Sequence, residues 1–201
     1  MARTERRAYF ESRFQTRDAS EEAGGKKYIE GYFAPFGSET ELWPGYFEQL
    51  APSAFDNSLK SNDIRCLFNH DSGFVLGRQA AGTLELKTDE TGLWGRVEIN
   101  PEDRAAMDVY ARVARGDISG CSFGFWPERE ESKTDADGAL HTTVLEADTH
   151  EVSICTFPAY PDTEVEARQR HMTENKDKAL RQRKAAMKRK LEEIKHGTET
   201  D

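Results

Sequence analysis

"AGTLELKTDETGLWGRVEINPEDRAAMDVYARVARG", residues 81–116, decides the architecture of this chain. Leu84 and Leu86 alternate on one side of a first strand, "DETG" supplies turn chemistry, and Leu93, Gly95, Val97 and Ile99 share one face of a return strand. That period of two marks a half-buried hairpin. The period then changes. Asn100 is placed to cap a helix, Pro101 suits a first position where no N–H is needed, Glu102 and Asp103 face the positive end of the helix dipole, and Gly116 ends it. Met107, Tyr110, Ala111 and Ala114 form the predicted buried stripe.

Strand patterns continue on both sides. In "YIEGYFAPFGS", Tyr28, Glu30 and Tyr32 alternate with Ile29, Gly31 and Phe33 before "PFGS" turns the chain. "PSAFDNSL" predicts a short helix with a Ser or Asp cap. "DISGCSFGFWPE" reads as a strand rich in aromatics and glycine. After the polar turn "SKTDADGALH", the strand "TTVLEADTHEVSICTF" sets Val152, Ile154 and Thr156 against Glu151, Ser153 and Cys155. One convincing helix among many strands predicts an α+β domain with a β-rich, barrel-like, partly closed core.

The chain has 201 residues, enough for one domain with a substantial core. No apolar run approaches the roughly 20 residues that cross a bilayer, and "MARTERRAYFESRF" carries charge where a signal peptide needs apolar residues, so a soluble, unexported protein is expected. Cys66, Cys121 and Cys155 are an odd number at wide spacing without CxxC, which argues against a disulfide framework or structural zinc. Charge is uneven. Val165–Asp201 holds eleven Lys/Arg against seven Asp/Glu, net +4, so the body carries −13 of the overall −9. An acidic body is a poor nucleic-acid binder, because phosphate contacts need clustered cations. Three segments follow: an N-terminal stretch over 1–27 that leads into the fold as a flexible arm or as a strand joined by a loop, a domain over 28–167, and a basic helical or disordered tail over 168–201, where Leu180, Met187 and Ile194 recur by sevens.

The chemistry centres on "LFNHDSGFVLGR", residues 67–78, and "GCSFGF", residues 120–125. The five histidines offer no HExxH and no pair three or four apart, so no helix supplies a ready metal site. The glycines around Gly120 lack the Lys-Ser/Thr of a phosphate loop. A serine nucleophile is better supported. Ser122 needs a base to take its proton, and His70 is the side chain whose chemistry suits that near neutral pH. The imidazole needs a carboxylate at its other nitrogen; Glu151 and Asp71 are both available. Cys121 is a rival nucleophile, though alternation points it away from whatever Ser122 faces. Each residue also has a plain structural role: a small strand residue, a loop histidine, a solvated acid.

Taken together, "IEGYFAPFGS", "PGYFEQLAPSAFDNSL", "LFNHDSGFVLGRQAAGTLELKTDETGLWGRVEI", "DISGCSFGFWP" and "EVSICTFPAYPDTEV" resemble the prohead proteases of tailed bacteriophages, from about Tyr28 to Ala167. The blocks are more distantly similar to the herpesvirus maturational protease. The resemblance implies a herpesvirus-protease-like fold, a β-barrel with surrounding helices, followed here by the charged helical tail. It implies His70 as general base, Ser122 as nucleophile and Glu151 as third member, with His150 the alternative. It implies a serine endopeptidase that needs no cofactor and acts inside the assembling prohead in the host bacterial cytoplasm. Its expected partners are the scaffold, the scaffold-like segment of the major capsid protein, the protease itself, and a second copy by analogy with the herpesvirus dimer; nucleic acid and membrane are not expected. The herpesvirus arginine pair that helps hold the oxyanion is replaced by "TFPAYPD", leaving backbone N–H groups near Phe123 or Ala159 as candidate donors. The rival readings are a non-enzymatic assembly or scaffold protein and a cysteine hydrolase using Cys121.

Overall fold

The computed structural model describes residues 5–19 and 25–157, together with the single positions Lys184 and Met187. The expectations for the rest of the tail, and for Ala159, His171 and His196, lie outside the described residues. In chain order the elements are β1 (Arg6–Glu11), β2 (Gln15–Asp18), β3 (Lys27–Pro35), β4 (Thr40–Trp43), β5 (Tyr46–Leu50), α1 (Ser58–Ser61) and β6 (Arg65–Phe68). There follow β7 (Asp71–Arg78), β8 (Leu84–Thr88), β9 (Gly92–Ile99), α2 (Arg104–Arg115), β10 (Gly120–Thr134) and β11 (Leu140–Cys155). The architecture is α+β, strand-rich with few helices. It comprises two open sheets, one of seven strands and one of four.

The seven-stranded sheet is organised by the long β10–β11 hairpin. Its order is β1-β10-β11-β5-β4, and β11 is long enough to take two parallel partners in succession: β5 beside Leu140–Val144, then β6 beside Glu151–Ile154. β7 folds back on β6. The smaller sheet runs β2-β3-β9-β8, and its β8–β9 hairpin has Leu84 opposite Val97 and Leu86 opposite Gly95, the alternation read from the sequence. The core draws on both sheets, with Ile29, Phe33, Leu93 and Val97 from the smaller and Cys121, Phe123, Val152 and Ile154 from the larger. Each such large apolar side chain contributes about 1.5–3 kcal/mol by leaving water.

Two expectations need correction. Of the two readings of the stretch 1–27, the flexible arm gives way to the strand, since it holds β1 and β2. The alternation in "RRAYFE" turns Ala8 into the core while the backbone pairs with β10, from Arg6 opposite Phe125 to Glu11 opposite Gly120. Arg6 fastens this strand by pairing with Glu130 of β10 and Glu48 of β5. The helix of α2 also starts later than expected. One turn ahead, the Asn100 side chain accepts the Glu102 N–H and its carbonyl the Asp103 N–H, while the Asp103 carboxylate caps the helix by accepting from Ala105 and Ala106. Its buried residues are Ala106, Val109 and Val113, with Met107 and Tyr110 at the margin and Ala111 and Ala114 exposed. Valine offers more apolar surface than alanine, and that difference chooses the face.

Candidate active site

The face of β10 and β11 that turns away from the core carries the polar residues. Ser122 stands opposite Ser153, Gly124 opposite Glu151, and Tyr9 of β1 opposite Ser122. Because side chains alternate along a strand, Cys121, Phe123, Val152 and Ile154 are sent into the core and Ser122, Glu151 and Ser153 to the other side. That side is closed to water as well: Ser122 and Ser153 are both fully buried and Glu151 is 6% exposed.

His70 reaches this face from the turn between β6 and β7. Phe68 pairs with Asp71, so Asn69 and His70 form a two-residue hairpin turn, with φ of 53° and 60°. Tight turns of this hand need positive φ at both positions, a conformation that costs a residue with a side chain roughly 1–2 kcal/mol. Hydrogen bonds to the end of β11 hold it there. The Asn69 N–H donates to the Ile154 carbonyl at 3.0 Å, the Thr156 N–H donates to Asn69 Oδ1 at 2.8 Å, and Asn69 Nδ2 donates to Thr156 Oγ1 at 3.2 Å. The parallel register of β6 with β11, Leu67 beside Ser153 and Phe68 beside Ile154, delivers the turn to this point.

The imidazole and the carboxylate meet. His70 Nδ1 lies 2.6 Å from Glu151 Oε1, between residues 81 positions apart, and both side chains are buried. With a carboxylate as acceptor, Nδ1 carries the proton and Nε2 presents its lone pair. The second oxygen of Glu151 accepts the Ser153 hydroxyl at 2.7 Å. Tyr9 sets its ring edgewise to His70, with centroids 5.2 Å apart at 74°. Among the described residues, His70 Nε2 and Ser122 Oγ belong to a small set of buried side-chain polar atoms without a hydrogen-bond partner, which also includes Ser12 Oγ, Thr149 Oγ1 and His150 Nδ1. Leaving a buried polar group unsatisfied costs about 1–3 kcal/mol, and only the His70 and Ser122 atoms combine that cost with a place beside the His70–Glu151 pair and chemistry that suits proton transfer.

The alternatives fall elsewhere. Asp71 is exposed and accepts the Gly73 N–H at 2.8 Å. His150 lies on the same side as Glu151 but is engaged by other partners: its Nε2 is 2.9 Å from Glu5 and its ring stacks on Trp126 at 4.2 Å. Cys121 Sγ is in the core, 3.3 Å from the Phe10 carbonyl and 3.4 Å from that of Phe33, and burial pushes its thiol far above the usual range. Burial, and then the nearby Glu151, push Cys155 up to about 12. Phe123 sits in a strand paired on both sides, where the ladders claim backbone N–H groups, which removes it as an oxyanion donor. Among the described residues no three His, Cys, Asp or Glu side chains converge as a metal ion would need.

Three contributors escaped the sequence reading. Tyr9 comes from the supposed arm. Ser153 follows Glu151 by two, so alternation already put it on the same face. Gly124 leaves room for the acid, since a Cβ there would stand 2.5 Å from Glu151 Oε1 and 2.9 Å from His150 Nε2.

Ser122 and the buried His70–Glu151 pair thus share one face of the larger sheet. Residues 13–178 match the family of caudovirus prohead serine proteases, and the chain belongs to that family. The prohead protease of Enterobacteria phage HK97 is 28% identical over 113 residues, 55% of this chain and 48% of that protein, so the chain spans about half the length of this curated relative. The capsid assembly protease of bacteriophage T4 shares the fold, with a TM-score of 0.50 at 11% identity over 75% of this chain and 96% of that structure.

Proposed function

We propose that this chain is a serine endopeptidase of phage head maturation, with Ser122 as nucleophile, His70 as general base and Glu151 as the acid that orients and stabilises the imidazole. The observation that carries the reading is the 2.6 Å contact of His70 Nδ1 with Glu151 Oε1, beside a buried serine on the same sheet face whose hydroxyl is unpartnered. In the reaction His70 Nε2 removes the Ser122 proton as Oγ attacks the peptide carbonyl, then returns it to the leaving amine, and water releases the acyl group by the same route. Glu151 stays ionised and holds the imidazole in the tautomer that leaves Nε2 free. Ser122 and His70 come within proton-transfer reach when substrate binds; catalytic hydrogen bonds commonly tighten at that stage.

The substrates in this reading are the scaffold or the scaffold-like segment of the major capsid protein, and the enzyme itself, inside the assembling prohead. A herpesvirus-like barrel arrangement and a homodimer belong to the same reading. The thiol rival is disfavoured by the core position of Cys121.

Self-processing tests the proposal. Wild type, Ser122→Ala and Cys121→Ser are expressed and their fragments followed by intact mass. Fragments lost only in Ser122→Ala support it; loss only in Cys121→Ser favours the thiol, and persistence in all three removes the enzyme.

A further inference from the structure

We infer that Ser153 is a positioning residue for the His70–Glu151 pair, its hydroxyl orienting the Glu151 carboxylate and anchoring the His70 backbone at the same time. The inference rests on the serine-protease reading above.

A serine hydroxyl has one proton to donate and two lone pairs to accept with. Ser153, fully buried, donates that proton to Glu151 Oε2 at 2.7 Å and accepts the His70 N–H at 3.2 Å. Its two partners sit on different elements, the carboxylate on β11 and the backbone N–H in the β6–β7 turn, so one oxygen links the orientation of the acid to the placement of the base. The terminal torsion of a glutamate is broad, and a carboxylate held through Oε1 alone rotates easily. Holding Oε2 as well fixes the plane in which Oε1 meets Nδ1. The proton committed to Glu151 also keeps Ser153 from donating to its cross-strand neighbour Ser122, whose oxygen stays available to His70.

A plain alternative is that Ser153 only fills a small space between strands. Alanine would fill it nearly as well, so the two roles separate experimentally. They separate in pH dependence too. A donor on Oε2 draws charge from the carboxylate; without it, Oε1 holds the protonated imidazole more firmly and the base becomes free at higher pH. The other titratable and charged groups on this side are Arg7 and Tyr9 on β1, Glu5 just ahead of it, His150 on β11, and the buried thiols Cys66 on β6 and Cys155 on β11; both thiols are raised by burial and then by Glu151, and so neutral in the working range. Asp71 on β7 is exposed.

The test uses a fluorophosphonate probe on the full chain, because labelling needs the nucleophile and base but no knowledge of the peptide substrate. Ser122 Oγ displaces fluoride, a P–O bond replaces P–F, and the hydroxyl proton passes to His70 Nε2. In Ser153→Ala the maximal labelling rate is expected to fall about tenfold to a hundredfold, the loss that a slightly misplaced catalytic group produces. The half-saturating probe concentration stays unchanged, and the acidic limb of the rate profile moves upward by a few tenths of a unit or more. Ser153→Thr, which keeps the donor, restores both. A wild-type maximal rate and limb in a cooperatively melting Ser153→Ala overturn the inference, as does a Ser153→Thr as slow as the alanine variant. If Ser153→Ala does not fold, Ser153→Cys, of similar volume and weak donor strength, is compared with Ser153→Thr; slower labelling of the cysteine variant supports the inference and equal rates overturn it. Labelling that survives in Ser122→Ala, or fails in wild type, overturns the protease reading itself and is distinguished by those two proteins alone.

Discussion

Gly124→Ala is a one-methyl probe of the His70–Glu151 contact. Gly124 lies outside the positive-φ region, so alanine brings no backbone penalty and its effect is steric. The new Cβ would lie 2.5 Å from Glu151 Oε1, where ordinary contact begins at 3.4 Å, so the oxygen must retreat by about 0.9 Å. That retreat lengthens the 2.6 Å bond to at most about 3.5 Å, the edge of hydrogen-bonding range, and full loss of the bond sets the magnitude. A hydrogen bond to a charged group is worth about 1.5–3 kcal/mol, which at 1.36 kcal/mol per decade is a slowing of roughly 10- to 150-fold. The fold should survive, since overpacking by one methyl typically costs about 1–3 kcal/mol. Fluorophosphonate labelling of wild type and Gly124→Ala, alongside thermal melts, measures both quantities. Labelling at the wild-type rate in a folded Gly124→Ala protein would refute the claim that the carboxylate's position sets the reactivity of the site.

Asn69→Ala should lower stability by about 2–3 kcal/mol in urea denaturation, from two lost side-chain hydrogen bonds to Thr156 and the strain of alanine at positive φ; Asn69→Gly should recover roughly 1 kcal/mol of that. Arg6→Ala removes the cation shared by Glu130 and the nearly buried Glu48 and is expected to cost on the order of 3 kcal/mol while slowing labelling, because β1 carries Tyr9; a stability change within error would assign the ion pairs no role. His141 is raised above 6.5 by Glu39 and then Asp135, while Asp135 is held below 3.8 by the Ala139 N–H and then His141. The first contribution is full below pH 6.5 and fades as pH rises through the raised value; the second is full above pH 3.8 and fades as pH falls through the lowered one. The melting difference between wild type and His141→Ala should therefore be largest between those limits, and a pH-independent difference would contradict the linkage.

Hairpins and their faces were legible because burial on one side of a strand leaves a period of two, as at Leu84–Ile99 and Val152–Ile154. The same period in "RRAYFE" was present but obscured by three charges in six residues, and only pairing with β10 shows it as a strand. Alternation placed Ser122 and Cys121 on opposite sides, which the structure bears out. It left Asp71, His150 and Glu151 all open as partners of His70. That choice depends on a turn at positive φ and a parallel register between β6 and β11, neither of which has a local signature. Ser153 and Gly124 were similarly hidden, since their meaning comes from what stands across the sheet. The buried face of α2 was misread because four alanine, methionine and tyrosine positions were counted where two valines weighed more.

The parallel β6–β11 junction has a consequence for how the protein comes into being. A ribosome delivers Tyr9, then His70, then Ser122, and only afterwards Glu151, Ser153, Ile154 and Thr156, the groups on which the His70 turn leans. Domains fold as units once their last segments emerge. A nascent chain therefore owns an imidazole and a hydroxyl with nothing to bring them into order, and on the serine-protease reading it stays silent until β11 has emerged and been threaded between its neighbours.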